Sequence, residues 1–186
     1  MKLKFIDKEI KYIGSQLAPH WIYKNFKIQG DAIVSFIGEC QVNLTEMVDI
    51  EDVINNEPIY SKCMLHFITE QFGINLNEGV LRQRLLICII KELLEENGIF
   101  VTRNGDDLMI DGRKLSVSIA TKSVTSVLIH TGLNIISEGA PVKACGLTSE
   151  LKINNISEFA QEIMKRYTEE LEDILLACTK VRGVTE

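Results

Sequence analysis

A change in hydrophobic period after residue 98 constrains the fold of this chain more than any other feature. Short apolar stretches with strand-like spacing follow it, at residues 99–101, 108–110, 115–119 and 124–136. Asn104-Gly105 and Asp111-Gly112 separate the first three stretches. Such dipeptides favour two-residue hairpin turns, because their backbones accept positive φ. We therefore predict an antiparallel meander in this half of the chain, not a series of β-α-β units.

Elsewhere the apolar residues recur at the spacing of helices. Pro58 suits a first helical position, and the apolar stripe after it predicts a helix over residues 58–72. Asn77 is predicted to cap a second helix. Asn155, with Glu158 three residues later, predicts the start of a long C-terminal helix.

The N-terminal part of the chain adds strands to these elements. Residues 1–13 alternate well enough for one or two short strands, and residues 31–36 predict a buried strand that ends at Gly38. No repeat, low-complexity run or linker divides the 186 residues. The expected fold is therefore α+β, a single domain over residues 1–186 in which helices pack against an antiparallel or mixed sheet.

Charge and cysteine content exclude several classes of function. The net charge of −6 argues against nucleic-acid binding, which needs clustered basic residues. The five cysteines show no CxxC pattern, which favours free thiols in a reducing cytoplasm and no metal site. No stretch resembles a signal peptide, and the longest apolar run, residues 85–90, is too short to span a membrane. We expect a cytoplasmic protein without a membrane partner.

The stretch from Lys114 to Ile119 contains the first candidate site residues. Strand alternation places Lys114, Ser116 and Ser118 on one face and the aliphatic residues on the other. A lysine and two hydroxyl groups on an internal strand can line a polar pocket. The same pattern is also typical of a solvated outer face, and the residues alone leave both interpretations open.

His130, Gly132 and Cys145 are the next candidates. Gly132 interrupts an apolar strand two residues after His130, as glycine does where a ligand or another backbone approaches, or where a strand has a bulge. Cys145 precedes Gly146 in a predicted loop, where a nearby ammonium group can lower the pKa of a thiol. A small buried filler is the alternative role for this cysteine.

Two further features carry alternatives of their own. Asp49, Glu51 and Asp52 form an acidic cluster, which indicates either a Mg²⁺ site or a solvated helix start. His66 lies beside an apolar stripe, and we assign it to the edge of the core.

The order of these segments resembles a known pattern. Lys-Leu-Ser-Val-Ser-Ile from Lys114, Ile-His-Thr-Gly-Leu-Asn-Ile around His130 and Pro-Val-Lys-Ala-Cys-Gly-Leu around Cys145 resemble the motifs of lipoyl(octanoyl) transferases. Residues 103–114 look like the hairpin of biotin and lipoate protein ligases, which share a class II aminoacyl-tRNA synthetase-like fold. Over its full length the chain is similar to an archaeal family of unknown function, the one numbered three-six-six. The resemblance implies the ligase-like fold.

The resemblance also implies a role for each residue. In the transferases the loop cysteine takes an acyl group from a carrier thioester and the strand lysine assists, so Cys145 is the implied nucleophile and Lys114 its activator. His130 and Gly132 are implied to shape the acyl pocket. The other expected ligand-binding residues are Ser116, Ser118 and Gly38. We expect no cofactor, a small acyl-type ligand or an acyl-carrier protein as partner, and consider a homodimer.

Two alternatives to acyl transfer stay open. The transferases have an Arg-Gly-Gly…Tyr-His-Gly-Pro-Gly-Gln stretch, of which only Gly30, Gly38, Gln41 and Val42 are matched here. A non-catalytic module that binds a small molecule or a partner on the same fold is therefore one alternative. The other is an ATP-dependent ligase that forms an acyl-adenylate, although the sequence contains no glycine-rich, arginine-containing nucleotide loop.

Overall fold

The computed structural model describes residues 1–184. The strands within that range are β1 (Lys2–Phe5), β2 (Ala32–Val42), β3 (Ile59–Phe72), β4 (Thr102–Asn104), β5 (Asp107–Ile110), β6 (Arg113–Lys114), β7 (Ser116–Lys122) and β8 (Ser126–Ile136). One five-stranded sheet has the order β1-β2-β3-β8-β7, and β4-β5-β6 form a three-stranded sheet. β1 runs parallel to β2, and the other neighbours in the large sheet are antiparallel. The predicted α+β fold with a mixed sheet is confirmed.

Two long helices cover one face of the large sheet. The helices are α1 (Trp21–Phe26), α2 (Ile50–Asn55), α3 (Leu76–Glu96) and α4 (Ile156–Thr179). Leu86 and Ile90 of α3 and Ile163 and Tyr167 of α4 are fully buried in one continuous core with the sheet. Among residues 1–184, none of the helices combines the length and apolar character that crossing a membrane requires.

The capping residues fix where the long helices begin. Asn155 caps α4 as predicted: its side chain accepts a hydrogen bond from the Glu158 N–H at 3.2 Å and donates to the Glu158 carboxylate at 2.6 Å. α3 begins slightly before the predicted cap at Asn77. Asn75 accepts the capping hydrogen bond instead, from the Glu78 N–H at 2.9 Å.

Residues 59–72 form strand β3, so the helix predicted over residues 58–72 is wrong. The apolar residues after Pro58 are spaced by three and four, as in a helix. A strand covered on both faces, however, is apolar along nearly its whole length and fits that spacing equally well. Residues 64–71 are all buried. Leu65 and Phe67 pack beneath α3 and α4, whereas Met64 and Ile68 pack in a second apolar cluster on the opposite face.

β2 passes its predicted end at Gly38 and continues to Val42. Gly38 lies where the N-terminal segment crosses the strand, and the Ile10 N–H donates to the Ile37 carbonyl at 3.0 Å. A Cβ atom on Gly38 would come within 2.0 Å of the Ile10 carbonyl oxygen. This glycine therefore permits two backbones to approach closely and does not end the strand.

The predicted hairpin turn at Asp111-Gly112 is confirmed, whereas the first turn lies at Gly105 and Asp106, one residue later than predicted, because Asn104 pairs with Asp107 in the sheet. The meander is divided between two sheets. Asp111 and Gly112 have φ values of 50° and 72°, as a two-residue turn between β5 and β6 requires. β4, β5 and β6 pair among themselves, whereas β7 and β8 join the large sheet. The strand predicted over residues 99–101 is wrong: the first strand after α3 begins at Thr102.

Candidate functional site

An open cleft of about 270 Å³ lies on the sheet face opposite α3 and α4. Its floor comes from β3, β7 and β8, through Met64, Val117, Ile119, His130 and Asn134. Of the site residues predicted from the sequence, Lys114, Ser118 and His130 line this cleft. The lining set does not include Cys145, Ser116, Gly132 or Gly38, all of which belong to the described part of the chain.

Lys114 is the only basic side chain that lines the cleft within residues 1–184. Its Nζ lies 2.9 Å from Asp107 Oδ1, and 35% of the lysine side chain is exposed. The turn at Asp111-Gly112 brings β6 back along β5, so these two residues meet. Backbone hydrogen bonds fix the position: the Lys114 N–H donates to the Lys143 carbonyl at 2.8 Å, and the Lys114 carbonyl accepts from the Cys145 N–H at 2.9 Å.

Carboxylates outnumber this ammonium group around the cleft. Asp107 is paired with Lys114, and Asp106 lies 3.0 Å from the Arg84 guanidinium. Four other carboxylates line the cleft and have no basic partner within 4.0 Å in the described residues: Glu46, Asp49, Asp52 and Glu57. Burial and the neighbouring Asp49 raise the pKa of Asp52, while Lys114 acts in the opposite direction. The mouth of the cleft is therefore strongly negative.

The acidic cluster at α2 behaves as a helix start. Asp49 is the N-cap residue, and its side chain accepts a hydrogen bond from the Glu51 N–H at 2.9 Å. Within residues 1–184, no group of three or more His, Cys, Asp or Glu side chains is arranged to hold a metal ion. These contacts favour the helix-start interpretation over a Mg²⁺ site.

Two buried histidines share a hydrogen bond at the floor of the cleft. His66 Nδ1 and His130 Nε2 are 3.0 Å apart, and His66 Nε2 lies 3.3 Å from the Gly38 carbonyl oxygen. Tyr12 stacks on His130, with the ring centroids 3.9 Å apart. Burial lowers the pKa of His66 to about 3, and burial together with the nearby His66 lowers the pKa of His130. Both imidazoles are therefore neutral at neutral pH.

The Gly38 carbonyl determines the tautomers of this pair. A carbonyl oxygen can only accept, so His66 carries its proton on Nε2 and accepts with Nδ1. His130 must then donate from Nε2, which leaves its Nδ1 without a proton. In residues 1–184 this Nδ1 has no protein partner and is not among the fully buried unpartnered atoms. It is an open hydrogen-bond acceptor on the cleft floor.

Cys145 faces the core and not the cleft. Ala144 pairs with Lys114 in a β-bridge and lines the cleft, so strand alternation turns the next side chain to the other side. Cys145 is 0% exposed and belongs to the core beneath α3 and α4. Burial raises the pKa of its thiol, although Arg113 acts in the opposite direction. These features disfavour the thiolate that a nucleophile needs.

Ser116 and Ser118 use their hydroxyl groups inside the fold. Ser116 is fully buried, and its Oγ accepts a hydrogen bond from the Leu108 N–H at 2.8 Å. Ser118 lines the cleft, but its Oγ donates to the His130 carbonyl at 3.0 Å. The predicted polar face shared with Lys114 is wrong, because Leu115 lies between β6 and β7 and interrupts the alternation.

Gly132 and Gly38 make room for protein atoms. A Cβ atom on Gly132 would come within 2.2 Å of Met64 Sδ, so the thioether occupies the space that we assigned to a ligand. At Gly38 the backbone of Ile10 occupies the equivalent space. Both glycines therefore make room for protein atoms next to the floor, which disfavours their predicted direct contact with a ligand.

Three residues at or beneath the cleft floor have no functional role predicted from the sequence. His66, which is buried beneath the floor, is predicted at the core edge because the sequence favours a helix over residues 58–72. In a strand, His66 shares a face with Met64, and that alternation is the signal that could have identified it. Asn134 lies within the motif around His130, and its Nδ2 donates to the Lys114 carbonyl at 3.3 Å. Tyr12 comes from a distant segment, and no local pattern marks it.

Comparison with known proteins places the chain in a family. A family model described as a domain of unknown function, DUF366, matches residues 1–182. The chain belongs to this family. An uncharacterized protein of Methanocaldococcus jannaschii is 39% identical to the DUF366 chain over an alignment of 180 residues that covers 94% of this chain and 81% of that protein. A solved protein of unknown function from Pyrococcus horikoshi has a TM-score of 0.93 and 42% identity, over 100% of this chain and 99% of that one.

The DUF366 chain is also similar to solved ligases. A biotin protein ligase mutant from Aquifex aeolicus in complex with biotin has a TM-score of 0.60 and 16% identity, over 92% of this chain and 70% of that one. Lipoate-protein ligase A bound with ATP has a TM-score of 0.61 and 12% identity, over 92% and 86% of the two chains. At such identities the likeness shows the fold. The predicted class II synthetase-like fold of biotin and lipoate ligases is confirmed.

Proposed function

We propose that this DUF366 protein binds a small organic molecule in the cleft, with His130 and Asn134 as its polar contacts. The observation that supports the proposal is the cleft itself: a concavity of about 270 Å³ with an apolar floor and a few convergent polar groups. Ligand sites of proteins have this composition. Proteins of the same fold have been solved with biotin and with ATP.

Acyl transfer through a Cys145 thioester is the competing candidate, and the likeness of the loop to that of the transferases favours it. The reaction needs the Cys145 thiol to lose its proton, attack the carbonyl carbon of a donor thioester and expel the donor thiol. In this fold the Cys145 side chain is 0% exposed and the cleft wall presents Ala144 in its place. These contacts favour binding over thioester chemistry.

An ATP-dependent ligase has less support. A triphosphate is held by basic side chains or by clustered backbone N–H groups. Here the cleft is lined by six carboxylates and one ammonium group, and that ammonium is paired with Asp107. The negative mouth disfavours the approach of a polyanion.

The binding proposal is tested by native mass spectrometry of protein purified gently from its source. We expect a retained small molecule on the wild type. Asn134→Leu should reduce its occupancy several-fold, because a neutral hydrogen bond contributes about 0.5–1.5 kcal/mol. Asn25→Leu is the matched control, since Asn25 is an exposed residue of α1. Equal occupancy in both variants contradicts a role for Asn134.

The cysteine alternative is tested separately by intact mass after incubation with an acyl thioester. We expect Cys145 to stay unmodified. Any acylation should fall on the exposed Cys178, which is the control thiol. An acyl adduct that persists in Cys178→Ala and disappears in Cys145→Ala would contradict the proposal and restore the transferase mechanism.

A further inference from the structure

The cleft floor presents hydrogen-bond acceptors. His130 is 4% exposed, and its Nδ1 is left without a proton by the hydrogen bonds that run through His66 to the Gly38 carbonyl. Asn134 is 7% exposed, and its Nδ2 donates to the Lys114 carbonyl, so its Oδ1 is left to accept. Within residues 1–184 neither His130 Nδ1 nor Asn134 Oδ1 has a protein partner, and both residues line the cleft.

These two acceptors favour a ligand that carries hydrogen-bond donors. Neither atom is among the fully buried unpartnered atoms, so both reach water in the open cleft. A ligand that covers them removes that water, which is costly unless the ligand donates hydrogen bonds in its place. A ligand that presents N–H groups satisfies these two atoms. A carboxylate presents only acceptors, and it would leave them without a partner.

The charge of the cleft lining also favours a ligand with N–H donors, because such a ligand can be a cation. The lining side chains carry six carboxylates against the single ammonium of Lys114. Arg84 and Lys114 each pair with one carboxylate, and Glu46, Asp49, Asp52 and Glu57 stay unpaired in the part of the chain that the structure describes. A cation entering the cleft meets an attractive potential that an anion does not.

We infer that the ligand is a small organic ammonium ion, whose N–H groups donate to His130 Nδ1 and Asn134 Oδ1 and whose apolar part packs on Met64 and Val117. The inference rests on the proposed binding function and adds the chemical class. An organic ammonium ion differs in charge from a fatty carboxylate or a nucleotide, so the inference excludes both as the preferred ligand. The unpaired carboxylates at the mouth balance the charge that the ligand brings.

Three probes of equal chain length test the charge preference: hexylamine, hexanamide and hexanoate. Binding of each is measured by isothermal titration calorimetry at low ionic strength and again at 1 M salt. We expect hexylamine to bind tightest and hexanoate weakest. Salt should weaken the binding of hexylamine and leave the binding of hexanamide nearly unchanged, because salt screens interactions between charges.

Variants of the mouth connect the preference to particular carboxylates. The double variant Asp52→Asn, Glu57→Gln should weaken the binding of hexylamine several-fold, because it removes two of the six carboxylates that make the cleft attractive to a cation. Its affinity for hexanamide should not change. The matched control Glu169→Gln, Asp173→Asn alters two exposed carboxylates of α4. An equal loss of hexylamine binding in both double variants contradicts the inference.

A spectroscopic readout tests the floor. In the wild type the ¹⁵N resonance of His130 Nδ1 should start at the position of an unprotonated nitrogen and shift when hexylamine binds. A resonance that does not move overturns the role of His130. If hexanoate binds tightest, the charge class is wrong while the binding function stands. If no probe binds and native mass spectrometry finds no retained molecule, both proposals fail.

Discussion

Acidification should unfold this protein through the buried pair His66 and His130. Burial lowers the pKa of His66 from 6.5 to about 3, and it lowers the pKa of His130 as well. Below pH 6.5 the unfolded chain therefore binds protons that the folded chain does not. The stabilisation that comes from keeping these rings neutral is complete above pH 6.5. It is lost progressively as the pH falls from 6.5 towards 3.

The size of the loss follows from the shift. One pKa unit corresponds to about 1.4 kcal/mol, so between pH 7 and pH 5 the His66 imidazole alone costs about 2 kcal/mol, and the lowered pKa of His130 adds to this loss. A typical domain has only about 5–15 kcal/mol of stability, so the effect is large enough to measure. The free energy of unfolding is obtained from urea titrations followed by circular dichroism at pH 7, 6 and 5.

The double variant His66→Phe, His130→Phe isolates these two groups. Phenylalanine keeps an aromatic ring against Tyr12 and Phe36, and removing both polar partners leaves neither imidazole unpaired. Carboxylates titrate in both proteins and cancel in the comparison. The wild type should lose at least about 2 kcal/mol more than the variant between pH 7 and pH 5. A difference below about 1 kcal/mol refutes the argument that both rings are neutral and desolvated.

The remaining predictions concern packing and capping. Gly38→Ala should destabilise the fold by about 1–3 kcal/mol or more, because its Cβ would meet the Ile10 backbone. Gly183→Ala is the control and should have little effect, because the space around it is open. Equal midpoints of urea unfolding for the two variants would contradict the prediction. Asn155→Ala should lower the free energy of unfolding by about 1 kcal/mol, because α4 loses its N-terminal cap. An unchanged free energy of unfolding in urea would contradict this prediction. Iodoacetamide should modify Cys178 well before Cys145, as peptide mapping can check; equal rates would show that the core opens.

Local patterns were enough to predict much of the C-terminal half. Asp111 and Gly112 adopt positive φ, and Asn155 forms its cap, because each choice depends on neighbours within a few residues. β3 was missed for the opposite reason. Its burial on both faces is a property of the assembled sheet, and a continuous apolar run carries no period that separates strand from helix.

The candidate site shows the same division. Lys114 was identified in a short motif and lines the cleft. The direction of Cys145 depends on the bridge between Lys114 and Ala144, which joins segments about thirty residues apart. The hydrogen bonds linking His130, His66 and the Gly38 carbonyl need three strands in register. Neither the orientation of Cys145 nor the hydrogen bonds of the histidines can be predicted from one local stretch of sequence.

Ala144, which forms the bridge with Lys114, lines the cleft, and the Cys145 thiol belongs to the next residue along the chain. In an extended segment, neighbouring side chains point to opposite sides, so a shift of one residue exchanges core and cleft. A single codon deletion ahead of Cys145, or the exchange Ala144→Cys with Cys145→Ala, places sulfur beside the Lys114 ammonium. One or two mutations thus separate the proposed binding protein from a potential thiol catalyst. The same scaffold offers protein engineers a short route to a new nucleophile.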